Sequence, residues 1–352
     1  MLTTTTQVSA PVNVDLQKEL LINAKARCPY FVGSTPASVA EHGGTFTAKW
    51  RRYENLTPVE APLAPLTGNA SYPTRQAVQP TVTDYTATVA KYGNYFALNE
   101  EVDLINPKNQ DMKLAEVLGI NAGQSLNRLQ RNELEDNSTS IYPTGQTADA
   151  GVNTPITLSQ IKLAVNTLNR NSAMTFTPMT KGENVEGTSP IRPAYWGIAH
   201  SDVEEDIRLM QGFISAERYA GQTELADGEF GTVGGVRFVS SPEASIDANA
   251  GATGGTNVRE DSAGTGADLY TTPIFGMDAI GSLGLSSKHV QKIYKAGDKL
   301  PAVQMIVKEK GSAGSADPLN EISTAGWKSF HAAKILNPEW VFGCRSTAKA
   351  LG

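Results

Sequence analysis

The 352 residues (37.5 kDa) suffice for one large domain or two modest ones, and 40% hydrophobic with 19% charged residues is the composition of a globular chain. Thirty Lys and Arg against 36 Asp and Glu leave a formal charge of −6, which argues against holding nucleic acid by phosphate neutralisation as the main task. Two cysteines, Cys28 and Cys344, exclude a disulfide scaffold and a cysteine-built zinc site. Residues 1–14 lack the basic start and apolar run of a signal peptide, and there is no apolar run of about 18 residues to span a membrane.

Residues 1–14 are Thr-rich and uncharged, and read as an arm. From Asp15 to Ala26 the spacing of Leu16, Leu20 and Ala24 predicts a short helix, ended before Pro29. Alone it is marginal in water, so it must dock on something. After Gly43-Gly44, Phe46, Ala48 and Trp50 alternate with Thr47, Lys49 and Arg51, the period of a strand. Thr81 to Leu98, rich in Thr, Tyr and Val, is a second strand. Five of the 19 prolines (Pro58, Pro62, Pro65, Pro73 and Pro80) lie between them. The expectation is a long two-stranded hairpin with a proline-stiffened tip. Ten residues of such an arm project roughly 33 Å, and an isolated hairpin is marginally stable at best.

Leu114, Leu118, Ala122, Leu126 and Leu129 recur at threes and fours and predict a helix from Asp111 to about Asn137, on the order of 40 Å long. Gly119 and Gly123 weaken it by roughly 1 kcal/mol each or permit a close packing approach. Thr157–Gln160 and Ser201–Glu204 both match a capping box and start two further helices. Ala194–Ala199 reads as a strand, and Gly228–Ser241 as a turn, a glycine bend and a strand. The Gly, Ala and Thr tract at 247–268 reads as an exposed loop. Strands follow at Leu269–Phe275, Ala302–Lys308, Trp327–Ala333 and Trp340–Cys344. The fold class is α+β with scattered strands, not the alternating rhythm of a nucleotide-binding sheet.

Chemistry is sparse. The run His200–Asp206 gathers one histidine and four acids, either a metal cluster or a helix start whose acids oppose the macrodipole; its capping box favours the second. Asp247 and Asn249 begin like a calcium loop, but Ala252 and Val258 stand where glycine and glutamate belong. His42, His200, His289 and His331 lie far apart, with no HExxH. No nucleophile elbow or phosphate loop is present, and the glycines at 231, 234 and 235 precede a strand. No catalytic, cofactor-binding or metal residue is therefore named. Lys49, Arg51 and Arg52 remain: a solvated strand edge that blunts aggregation, an ion-pairing surface against another subunit, or a phosphate contact.

The segments GGTFTAKWRRYENL, YTATVAKYGNYFALNEEVDL, GEFGTVGGVRFVSSPEA and AGWKSFHAAKILNPEWVFGCRS, in that order, resemble the major capsid proteins of tailed bacteriophages, with coliphage N-four as the closest group. The resemblance runs from about Asp15 to Ser346. It implies the Hong Kong-97-type capsid fold: an N-terminal arm (1–43), an extended E-loop hairpin region (44–100), a P domain with a long spine helix (101–155), a mostly A-domain region (156–300) and returning P-domain strands (301–352). It further implies a non-enzymatic subunit that self-assembles into pentamers and hexamers of an icosahedral head around double-stranded DNA, contacted weakly and non-specifically. Portal, scaffold and decoration proteins are candidate partners. The location implied is the virion, after assembly in the host cytoplasm, with no membrane and no cofactor. Lys49, Arg51, Arg52, Glu54, Glu60 and Arg75 are the candidate intersubunit contacts. The alternatives are an encapsulin-like nanocompartment and a hydrolase with a scattered site.

Overall fold

The computed structural model describes residues 20, 29–31, 33–36, 38–39, 47–54, 56–58, 60, 79–101, 110–176, 193–219, 226, 228–254, 266–283, 303–308, 310–311, 318–319 and 321–349. The residues of the expected 15–26 helix other than Leu20, the hairpin tip at 61–78 and the middle of the 247–268 tract lie outside them.

The strands are β1 (Thr35–Pro36), β2 (Ser38–Val39), β3 (Thr47–Tyr53), β4 (Val82–Thr88), β5 (Ala90–Asn99), β6 (Thr139–Ile141), β7 (Tyr195–His200), β8 (Ile214–Ser215), β9 (Glu229–Val233), β10 (Val236–Ser241), β11 (Ile246–Asp247), β12 (Leu269–Phe275), β13 (Ile280–Ser282), β14 (Val303–Lys308), β15 (Ile322–His331), β16 (Ala333–Ile335) and β17 (Val341–Ser346). The helices are α1 (Gln110–Asp136), α2 (Leu158–Arg170) and α3 (Ser201–Arg208).

The largest sheet runs β6-β17-β12-β7-β10-β9-β8, with β11 added on β12. Every residue of β7 and β12 is buried, because both faces of the sheet are covered. On one face Ile161 and Leu168 of α2 and Val203 and Ile207 of α3 meet Phe238, Ile274 and Phe342. On the other, Tyr30 and Leu134 meet Trp196, Ile198, Phe275 and Val341. That double burial is why these strands read as apolar runs rather than as alternation.

A second sheet, β14-β15-β5, is antiparallel and lies on α1. Leu118, Ala122 and Leu126 of the helix pack with Val303 and Trp327, and the Trp327 indole donates to Asn121 Oδ1 at 2.9 Å. Gly119 and Gly123 are buried on the same helical stripe, which fits the close-packing alternative. Leu20 is fully buried in this cluster, so the amino-terminal segment docks on its own chain at that point. The carboxy-terminal segment divides between sheets: β15 pairs along all of β5, whereas β17 lies between β6 and β12 in the large sheet.

The two capping boxes fare differently. At α2 both reciprocal bonds form, the Gln160 amide N–H donating to Thr157 Oγ1 (3.4 Å) and the Thr157 amide to Gln160 Oε1 (3.1 Å). At α3 the cap sits one residue earlier than expected: His200 Nδ1 accepts from the Asp202 amide at 3.0 Å, and Ser201 is already helical. An unprotonated imidazole nitrogen satisfies the same orphan donor that a serine hydroxyl would. The glycine bend joins β9 to β10 through Gly234 (φ +63°) and Gly235 (φ +91°), the left-handed pair that a two-residue hairpin turn requires.

Beside that turn the Arg237 guanidinium bonds both Glu229 oxygens, at 2.7 and 2.6 Å, and stacks 4.7 Å over the Trp196 ring. Both side chains are almost wholly buried. Replacing one partner strands the other's charge, at a cost of about 3–5 kcal/mol. Arg237→Met is therefore expected to lower the denaturation midpoint sharply, and Arg237→Met with Glu229→Leu to recover most of the loss in the same unfolding measurement.

Candidate functional site

A cavity of about 710 Å³ beside the hairpin is lined by Lys49, Arg51, Arg52 and Glu54 among others, so the hairpin and its seat are the place to look. β3 and β4 pair in antiparallel register from Thr47↔Thr88 to Tyr53↔Val82. After Val89 the same chain continues as β5 and pairs with β15 instead. The strand read from Thr81 to Leu98 thus belongs to two sheets, its first half forming the hairpin and its second half lying on the body. The root is buried. Ala48, Trp50 and Val89 cluster with Leu283, Ala332 and Leu336. The Trp50 indole donates to the Thr35 carbonyl at 3.2 Å and lies on Gly281, where an added Cβ would meet the ring at 2.4 Å. Only glycine leaves room for that seat, since a contact this close forces something to shift.

Beyond the root the ribbon is bare. Tyr53 is 66% exposed, Leu56 55% and Val82 41%. The cations expected at an interface are occupied within the hairpin. Arg51 Nε and Nη2 donate to the two Asp84 oxygens (2.8 and 3.2 Å), and Lys49 Nζ stands 2.7 Å from Asp84 Oδ2. The hydrogen bonds from Arg51 and then Lys49 hold the Asp84 carboxyl well below the usual carboxylate range. Arg52 pairs with Glu54 at 2.6 Å, sits 5.6 Å over the Tyr85 ring and reaches the Leu336 carbonyl at 3.4 Å. These pairs are solvent-exposed, so they align the two strands more than they stabilise them. Glu60 is exposed, and Arg75 lies outside the described residues. Asp84 was not singled out from the sequence; pairing Arg51 with it needs the strand register, which alternation alone does not supply.

Three polar nodes fasten the body behind the hairpin. Glu135, near the end of α1, accepts from the Tyr30 hydroxyl and from the Ser245 hydroxyl and amide, while the Tyr30 amide donates to Asn127 Oδ1 at 3.1 Å. Burial raises the Glu135 carboxyl above its ordinary value. This node joins the amino-terminal segment, the long helix and the loop after β10. Arg345 of β17 bonds both oxygens of Asp149 (2.9 and 2.6 Å) and stands 2.7 Å from Asp247. Asp247 is thus an ion-pair partner rather than the start of a calcium loop. The His200–Asp206 run is a helix start, as its capping pattern implied: Asp202 accepts from the Tyr270 hydroxyl (2.9 Å), Glu204 pairs with Arg208 (2.5 Å), and Asp206 accepts from the Lys349 amide (3.0 Å). Among the described residues no group of three His, Cys, Asp or Glu could hold a metal ion, and no helix is long and apolar enough to cross a membrane. Cys344 is fully buried, and burial pushes its thiol up to about 12.

The two sheets, the helix between them and the paired strands β3 and β4 together make an architecture of the Hong Kong-97 type. The capsid of Ralstonia phage GP4 matches with a TM-score of 0.56 at 12% identity, over 91% of this chain and 87% of that one. The capsid of cyanophage Pam1 gives 0.53 at 13%, over 92% and 93%. The head of Helicobacter pylori bacteriophage KHP40 gives 0.51 at 12%, over 92% and 91%. At such identities the likeness establishes the fold. A family model described as phage capsid protein matches residues 82–343, and the chain belongs to that family. It is a major capsid structural protein. No curated protein sequence matches it.

His331 offers a measurable signature of the body. It is buried at the end of β15, against Phe31 at 5.6 Å, and burial pushes its imidazole down to about 4. An unfolded histidine titrates near 6.5, so between these values the unfolded chain binds more protons than the folded one. This contribution is complete above about pH 6.5 and is lost as pH falls toward 4, to a total of about 3 kcal/mol. Denaturation curves for the native protein and His331→Asn should therefore differ in pH slope across that window, the native protein losing more stability on acidification. The comparison cancels the carboxylates, Glu135 among them.

Proposed function

We propose that the chain is the repeating subunit of an icosahedral phage head, closing into pentamers and hexamers around double-stranded DNA without catalysing a reaction. The observation that carries this reading is the contrast along one ribbon: Trp50 is 5% exposed in its seat, while Tyr53, three residues on, is 66% exposed. A hairpin buried at its root and exposed three residues further on suits an arm that lies on a neighbouring copy, and closed head-to-tail contacts of that kind generate rings. The outer face of the β14-β15-β5 sheet supports the same reading. There Tyr95, 73% exposed, lies opposite Gly326, and Ile306, 40% exposed, continues the row.

Within this reading the E-loop is the ribbon of residues 44–100. Lys49, Arg51, Arg52, Glu54, Glu60 and Arg75 remain the proposed intersubunit contacts. The P domain comprises α1 with β14 and β15, on which β5 at the base of the E-loop region lies, and the A domain comprises most of the large sheet with α2 and α3. The boundary in the 301–352 tail is best drawn between β15 and β17. A formal charge of −6 suits an inner wall that contacts DNA weakly and without sequence preference. Portal, scaffold and decoration proteins are the proposed partners, the virion the proposed location after assembly in the host cytoplasm, and the coliphage N-four group the proposed nearest relatives.

Electron microscopy of the purified protein tests this directly. Closed particles of uniform diameter are expected, with DNA inside when they come from infected cells. Particles that hold a cargo enzyme and no DNA would replace the phage head with a nanocompartment. A monomer at high concentration whose 44–100 ribbon resists protease would overturn the reading.

A further inference from the structure

The outer face of the β14-β15-β5 sheet differs in charge from the chain as a whole. Residues paired in register share a face, and Val303, Met305, Trp327, Tyr92 and Phe96 of the inner face pack with α1. The outer face therefore carries the alternate residues. Its charged members are Lys91, Lys308 and Lys328, and its described residues include no Asp or Glu; Glu100, Glu101 and Glu321 come only past its end. Such a face stands out in a chain whose formal charge is −6. Lys91 and Lys308 are exposed and make no ion pair among the described residues.

The second observation is the shape of its middle. One cross-strand row runs Ile306, Gly326, Tyr95. Along its own strand Tyr95 has Gly93 and Ala97 on either side, and Gly326 stands opposite. None of these neighbours has a side chain larger than a methyl, so the ring projects, and Tyr95 is 73% exposed. Its base is held in place. A Cβ added at Gly326 would meet Tyr95 Cβ at 2.6 Å and the Asn94 carbonyl at 2.8 Å, so the strand stands close against the glycine. The rows on either side of this one carry Lys328 and Lys308. An apolar centre with a projecting tyrosine and a charged rim is the anatomy of a protein interface. A nucleic-acid backbone would use the lysines and leave the centre uncovered.

We propose that this face is the docking surface for a separate protein whose contact region is acidic around an apolar hollow that takes the Tyr95 ring. Charge complementarity selects that partner. The described hairpin residues of a second copy balance Lys49, Arg51 and Arg52 against Glu54, Glu60 and Asp84 and offer no acidic excess. Size sets how the partner binds. Strands about 4.8 Å apart, the longer two of ten residues, give a face of roughly 400 Å². That is about half of what one side contributes to a standard interface. Binding to a single free chain is therefore weak, and the partner gains its hold by spanning several copies in a shell. The inference rests on the shell-subunit reading and supplies the chemistry of a partner to that shell.

Lysine footprinting tests it, on virions from infected cells and on particles assembled from the purified chain alone. With acetic anhydride as the probe, Lys91 and Lys308 should react at least tenfold more slowly in virions than in chain-only particles. Zero-length carbodiimide coupling in virions should join them to Asp or Glu of a different polypeptide. Tyr95→Ser should leave the melting of the unassembled chain and the yield of particles unchanged, and should return both lysines in virions to near the chain-only rate. Four results would each overturn the docking surface while leaving the shell-subunit reading intact: equal reactivity in the two kinds of particle, coupling to another copy of this chain, slow reaction that disappears once DNA is released, or unchanged protection in Tyr95→Ser virions. Absence of particles from the native chain would instead sink that reading itself.

Discussion

A single polypeptide strand serves two sheets here, and the architecture depends on how it is clamped where it passes from one to the other. Val82–Thr88 pairs with β3, Ala90–Asn99 pairs with β15, and Val89 between them is buried. The hairpin is therefore a cantilever. Its fixed end is the Trp50 ring on Gly281, and truncating such a ring costs about 3–5 kcal/mol. Beyond that seat the described Tyr53, Leu56 and Val82 are exposed. A two-stranded ribbon cannot cover both of its faces by itself, so the seat at the root sets the arm's direction and leaves its surface for other copies.

The body behind the seat is built to resist that leverage. The long helix lies against the β14-β15-β5 sheet along one stripe and reaches the large sheet through Leu134. Polar groups lock these parts at chosen points: Glu135 to Tyr30 and Ser245 and Arg237 to Glu229 in the interior, and the part-buried Arg345 to the more exposed Asp149 and Asp247. The Glu135 and Arg345 nodes join segments distant in sequence, and the Arg237 pair ties the two strands of the β9-β10 hairpin. Buried polar contacts of this kind are demanding about geometry, because an unmatched partner is costly. They specify one arrangement of helix, sheet and terminal segment where apolar packing alone would tolerate several.

Much of this was legible in the residues. The period of Leu114, Leu118, Ala122 and Leu126 marks the long helix to within a residue or two, because one face is buried along its length. The capping box at Thr157 and the Gly234-Gly235 turn were legible because local hydrogen bonding and φ decide them. Two things were not. The strand from Thr81 changes partner at Val89, and nothing in its alternation marks the change, since strand partners are set by long-range pairing. His331 looked like one of four unrelated histidines; its burial against Phe31 arises only when segments three hundred residues apart come together. The cations of the hairpin were visible, but their engagement with Asp84 and Glu54 depended on a register that composition does not reveal.

The central claim is that the outer ribbon owes its order to neighbouring copies and its root to its own chain. Amide hydrogen exchange on assembled particles and on the dissociated chain compares the two directly. The account predicts slow exchange at Trp50 in both states. At Tyr53 and Val82 it predicts protection at least a hundredfold greater in particles than in the free chain. Equal protection of Tyr53 and Val82 in the two states would contradict it.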